Sequence, residues 1–215
     1  TVLSRGLGDV YKRQARMRST IQQIETFNTA VNTFQLRFDG YPGDMQGTTV
    51  GLTNDGVSTN GQLEDADGSL EIDDATGEIT LFWEHLSEAT MIPGAFSQLA
   101  PAATAVINTN FPGAKTGFNG IGVYSVSGTN YYQLGATDGS AAAVATYSDG
   151  TLTVLQANDI DRKLDNGVPN SGIVIARGGT GPNGAAVVAC QTAGNIYDTA
   201  GNASSRVCQL RIRIN

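Results

Sequence analysis

The chain has 215 residues, 13 Lys and Arg against 20 Asp and Glu, a formal net charge of −7, and only 15% charged side chains. That length suits one domain with a sizeable core, and the acidic balance argues against nucleic acid or anionic lipid as a partner, since either needs a basic surface. The abundance of Gly, Ser, Thr, Asn and Ala suits a loop-rich, β-containing protein from outside the cytoplasm better than a cytosolic helical enzyme.

Residues 1–14 show no periodicity, and the run Gly8-Asp9-Val10-Tyr11-Lys12-Arg13-Gln14 resembles a translated sequencing-adaptor fragment. They are expected to be non-native. Over residues 15–39 the pattern changes. Ile21, Ile24, Phe27, Val31, Phe34 and Phe38 recur at steps of three or four, which places them on one stripe of a helix with a polar back. Gly40 stands where a C-cap is expected, and Pro42 cannot continue the helix. A one-faced helix of this length, about 35 Å, must lie across an apolar surface supplied later. Arg5, Lys12, Arg13, Arg16 and Arg18 crowd the first turns, and no Lys or Arg falls between Arg37 and Lys115.

Residues 45–77 form an acidic stretch rich in Gly, Asn, Asp and Thr. Asp65, Asp67, Asp73 and Asp74 are candidate calcium ligands, because carboxylates clustered around a Gly turn can wrap a hard cation. The match to an EF-hand loop is partial: with Gly68 at the turn, Leu63 stands where the first carboxylate belongs. A solvated acidic loop is the plainer reading, so the expectation is no cofactor, with calcium as the alternative. Residues 79–92 read as a second helix ended by Pro93-Gly94. It carries His85, the only histidine, which is expected to be a packed or surface residue rather than a catalyst.

Strand rhythm begins at Ile121. The alternation to Val126, the turn Ser127-Gly128-Thr129-Asn130 and the return through Tyr131 to Leu134 predict a β-hairpin. Residues 153–164 predict a short helix capped by Thr153 and ended by Asn166-Gly167 and Pro169. Strands are predicted at 173–176 and 185–190, and a last one through Val207, Leu210, Ile212 and Ile214, with Arg211 and Arg213 facing water. Cys190 and Cys208, separated by a Gly/Asn-rich loop, admit one pairing, and a disulfide there implies an oxidising compartment. Two buried thiols are the other reading.

Catalytic motifs are thin. There is no G-x-S-x-G elbow and no H-E-x-x-H, and a single His removes most Ser-His-Asp schemes. In Gly113-Ala114-Lys115-Thr116, Ala114 stands where a phosphate loop needs Gly. No enzyme is expected. No apolar run approaches the roughly 20 residues of a transmembrane helix.

The helix of residues 15–39 with its Gly40-Tyr41-Pro42-Gly43-Asp44 turn resembles bacterial type IV pilin-like proteins, which carry a prepilin-type cleavage/methylation segment. Similar to one branch of that family are Phe82-Trp83-Glu84-His85-Leu86 leading to Ile92-Pro93-Gly94, the run Ile160-Asp161-Arg162-Lys163-Leu164-Asp165-Asn166-Gly167-Val168-Pro169, and the C-terminal cysteine pair. The resemblance implies an α+β, pilin-like fold. In it a long N-terminal amphipathic helix packs on an antiparallel sheet, with an acidic loop insertion and a C-terminal disulfide. Residues 15–39 would be the exposed half of the spine helix and residues 40–215 the globular head. It further implies a structural subunit of a type IV pilus or a type II secretion pseudopilus. Its partners would be copies of itself, related pilins and the inner-membrane assembly machinery. The subunit would be membrane-anchored before assembly and then periplasmic or extracellular. An extracellular binding module of adhesin or lectin type, with or without calcium, is the alternative.

Overall fold

The chain opens on helix α1 (Val2–Phe38), about 55 Å long at the helical rise. This computed structural model describes residues 2–44, 51–53, 78–98, 106–117, 119–126, 128–136, 152–178, 190–201, 203–204 and 206–215. The helix begins well before Ala15, although the side chains of residues 8–16 are all exposed and none packs on the core. Packing starts at Met17, then continues through Ile24, Phe27, Ala30, Val31 and Phe34, with Ile21 and Phe38 half-buried against the same cluster. Thr20 lies in this face fully buried, because its hydroxyl donates to the Arg16 carbonyl one turn back (3.0 Å) and needs no other partner. The helix closes one residue earlier than expected. Asp39, not Gly40, adopts the left-handed conformation (φ 54°), and its N–H donates to the Gln35 carbonyl (2.9 Å).

Helix α2 (Glu78–Glu88) is also shorter than its sequence suggests. Thr90 takes φ 57°, its N–H donates to the Ser87 carbonyl, and the Met91 N–H donates to that of Leu86. That is a Schellman ending, reached four residues before Gly94. A β-branched residue in the left-handed region is unfavourable, which is why Pro93-Gly94 looked like the stop.

Among the described residues the sheet has five strands, and its ladders are antiparallel. Strands β1 (Gly120–Val126) and β2 (Thr129–Ala136) form the expected hairpin, with Val126 opposite Thr129. Two-residue β3 (Leu152–Thr153) leads directly into α3 (Val154–Leu164), and β4 (Val174–Gly178) follows. The last strand, β5 (Arg206–Arg213), is central. Leu210 pairs with Leu134 of β2 on one edge and Ala176 of β4 on the other, while Cys208 pairs with Leu152 and Gly178. Thr153 caps α3 in a full capping box: its hydroxyl accepts from the Gln156 N–H, and the Gln156 side chain accepts from the Thr153 N–H.

The helices and sheet meet over an aromatic cluster. The Phe27 ring lies 4.8 Å from Trp83 and 6.2 Å from Tyr132, and Phe82 meets Trp83 edge-on at 4.8 Å. Facing Tyr132 across the ladders are Val123 and Ile212, so the alternate residues of β1, β2 and β5 supply the floor on which α1 rests. The other face of β5 departs from expectation. Arg211, expected in water, is 5% exposed, because β5 is flanked on both edges and its second face is covered as well; Arg213 is exposed. The predicted strand at 185–190 falls outside the described residues up to Cys190.

Candidate functional site

The junction where α1 turns into the rest of the chain is built around His85. Tyr41 and Asp44 form a tight turn, with the Asp44 N–H donating to the Tyr41 carbonyl (3.1 Å) and Gly43 at φ 88°. The Gly43 N–H donates to His85 Nδ1 (3.0 Å), so the ring's proton sits on Nε2, which donates to the Thr53 carbonyl (2.6 Å). The ring is fully buried and stacks on Phe34 at 6.1 Å with 4° between planes. Both nitrogens are committed to backbone groups. His85 therefore ties the turn to α2 and leaves no ring nitrogen for a substrate proton or a metal. Glu88 continues the clamp by accepting from the Thr53 N–H (3.0 Å) and hydroxyl (2.9 Å), and Glu84 accepts from the Gln98 N–H (2.6 Å).

The run from Ile160 to Gly172 is knitted by its two aspartates. Asp161, buried, accepts from the Tyr197 hydroxyl (2.8 Å) and the Gly167 N–H (3.0 Å). Burial raises its carboxyl above the usual range, the two hydrogen bonds pull it back, and nearby Asp165 raises it further. Tyr197 is held well above the ordinary phenol value, first by burial and then by its bond to Asp161. Asp165 Oδ2 accepts from the N–H groups of Ile173 and Val174, which launches β4 from the end of α3. Asn166 Oδ1 accepts from the Val168 N–H (2.7 Å), an Asx turn. These side chains are spent on holding backbone.

Cys190 and Cys208 are bonded, with Cα atoms 5.2 Å apart and both residues fully buried. The bridge fastens the start of the loop bearing Tyr197 to central strand β5. Ile196 stands 65% exposed in that loop, and Leu36 stands 90% exposed on the polar back of α1.

A groove of about 410 Å³ runs beside α1, floored by Phe27 and walled by Pro93, Phe96 and Pro112, with Gln22 and Lys115 among its polar lining. Gln23 closes one side by donating to the Gly113 carbonyl (3.0 Å) and accepting from the Lys115 N–H (3.2 Å). The Gly113–Thr116 run is thus a loop stapled to α1, and the Thr116 hydroxyl donates to Asn119 (2.6 Å) rather than standing ready for a phosphate. The candidate calcium ligands Asp65, Asp67, Asp73 and Asp74 lie outside the described residues. Among the described residues no group of three or more His, Cys, Asp or Glu could hold a metal, and no helix is long and apolar enough to cross a membrane.

Ile24, Phe27, Val31 and Phe34 of the expected packing face are buried, with Ile21 and Phe38 at its margins. Sequence reading missed Met17, Thr20 and Ala30, which fill the same stripe at the right period but carry little or mixed hydrophobic signal. It also missed the buried Arg211. Comparison with protein-family models, curated proteins and solved structures finds no match to this chain.

Proposed function

We propose that this chain is a structural subunit of a type IV pilus or type II secretion pseudopilus filament, acting through assembly rather than catalysis. The observation that carries the reading is α1. Its face from Met17 to Phe38 is sunk along the native run from Ala15 into an α+β head, the packing that the exposed half of a spine helix calls for. The His85 clamp and the disulfide support the same reading, since both make a rigid head on a fixed stem.

In this reading an apolar half-helix precedes the run that starts at Ala15. It anchors the subunit in the inner membrane, where the assembly machinery receives it, and then packs with its copies in the filament core. The head lies in the periplasm or outside the cell. The test is the native gene upstream of Ala15. A short basic leader followed by roughly 20 apolar residues is expected, and co-expression with a prepilin peptidase should shorten the precursor by the mass of that leader. A complete gene without such a segment would overturn the proposal.

A further inference from the structure

Helix α1 carries an apolar knob and borders an apolar groove, and neither is filled by the chain itself. Leu36 is 90% exposed, the most accessible large apolar side chain among the described residues. Three residues on, Asp39 closes the helix and is exposed as well. The groove of about 410 Å³ is floored and walled by Phe27, Phe96, Pro93 and Pro112. Much of its polar lining is already spent. Both ends of the Gln23 amide are bonded, Asn108 Oδ1 accepts from the Gly113 N–H (2.9 Å), and the Thr26 hydroxyl donates to the Gln22 carbonyl (2.8 Å). A small polar ligand would find few groups to orient it. A second cavity of about 460 Å³ shares Asn108, Gly113 and Lys115 with the first and continues it to Gly117. Lys115 is exposed on this rim, and a Cβ placed on Gly117 would lie 3.8 Å from Arg16 Nη1, so two cations border the groove. Among the described residues neither pairs with a carboxylate, although the chain carries 20 Asp and Glu. A leucine with a carboxylate one turn on complements an apolar groove with a cationic rim, and this chain presents both halves of the match.

The two halves are displaced from each other. At about 100° and 1.5 Å per residue, Leu36 lies roughly a quarter-turn around α1 from the groove-lining residues Ser19 to Phe27, and about 20 Å along it. Knob and groove therefore face different neighbours. A contact between two different patches is heterologous, and with an axial offset it runs on as an open helix instead of closing. We propose that Leu36 and Asp39 of one copy dock into the groove of the next, with Leu36 on the apolar floor and Asp39 facing Lys115. The proposal rests on the filament reading for the presence of a neighbouring copy, and adds which surfaces meet. One such contact is small and weak alone; repeated along a filament, it sets the stagger between copies.

The test is paramagnetic relaxation on the intact chain. A spin label on Asn32→Cys, exposed one turn before Leu36, leaves the knob intact, and Cys190 and Cys208 are bonded to each other and do not take the label. Labelled chain is mixed with unlabelled, isotope-enriched chain at roughly millimolar concentration, where a weak contact is populated. Resonances of Gln22, Gly113 and Lys115 in the enriched chain are expected to broaden, and Leu36→Asp in the labelled chain should abolish the effect. Lys115→Glu in the observed chain should cut it at least about threefold, and Asp39→Lys in the labelled chain should then restore it. Leu36, Asp39 and Lys115 are all exposed, so these variants keep the fold, and an unchanged amide spectrum outside the contact verifies it. No broadening at the groove, broadening that survives Leu36→Asp, or a charge swap that restores nothing overturns the proposal. The first of these is read without altering knob or groove. The filament reading falls separately, on the upstream gene: groove broadening with no leader in the gene upholds the contact as plain self-association, whereas a leader with no groove broadening overturns the docking alone.

Discussion

Tyr132 puts a hydroxyl in the middle of the aromatic cluster, fully buried between Phe27, Phe82 and Trp83, with no hydrogen-bond partner among the described residues. An unsatisfied buried polar group carries its desolvation penalty without return, so Tyr132→Phe is expected to raise stability by about 1 kcal/mol in urea unfolding. A loss of that size instead would show that the hydroxyl is bonded. The same residue sets a pH limit. Burial raises the phenols of Tyr41, Tyr132 and Tyr197 above their ordinary value of 10.0. A raised folded pKa means that the native state keeps its proton after the unfolded chain has lost it. Stability is therefore full below about pH 10 and falls as pH rises beyond it, and Tyr132→Phe should make that fall shallower. Gly172 illustrates a second constraint. At φ 91°, a Cβ placed there would lie 1.8 Å from Asp165 Oδ2. Gly172→Ala is expected to cost about 2–4 kcal/mol, and distinctly less in an Asp165→Ala background, where only the backbone strain remains; equal costs in both backgrounds would refute the clash. The motif around Asp165 was visible in the sequence, but its work was not, because nothing in Asp-Asn-Gly-Val-Pro says which N–H groups the carboxylate reaches.

Elements were legible wherever period and burial agree. The stripe of α1 announces its buried face because Ile24, Phe27, Val31 and Phe34 repeat at helical spacing. Phe34→Ala should therefore cost about 3–5 kcal/mol, while Leu36→Ala, two residues on and 90% exposed, should stay within about 0.5 kcal/mol. Comparable losses for both would mean that α1 packs in another rotation. Strand β5 shows where period misleads. Its alternation of Leu210 and Ile212 with Arg211 and Arg213 reads as a strand wet on one side, yet its neighbours on both edges are non-local in sequence and bury Arg211. The start of α1 and the end of α2 were misplaced for local reasons: residues 8–16 have no apolar stripe to advertise a helix, and Thr90 is a poor residue for the left-handed turn it makes. The Cys190–Cys208 bridge joins elements 18 residues apart. Reducing it is expected to remove about 3 kcal/mol in the chain-entropy model, measured as unfolding with and without reductant, and an unchanged midpoint would mean the loop is already held by Asp161 and Tyr197.

At the scale of the molecule, stability should be graded along α1 rather than uniform. From Ile21 to Phe34 the helix shares one cluster with α2, α3 and the sheet, so its amides open only when that cluster comes apart. Side chains of residues 8–16 touch no core, and helix held by backbone bonds alone frays readily. Hydrogen exchange followed by mass spectrometry should then give near-unprotected exchange before Met17 and the slowest exchange in peptides spanning Ile24 to Phe34 and β5. Uniform protection along α1 would show that some surface outside the described core supports its first turns. The gradient also bears on the proposed assembly. If copies of the rod pack side by side in a filament, then in the native chain, with an apolar half-helix in place of residues 1–14, protection in the turns before Met17 should appear on assembly while that of Ile24 to Phe34, already limited by the head's own unfolding, changes little. Assembly that leaves the first turns exchanging freely would place the contacts between copies on the heads instead.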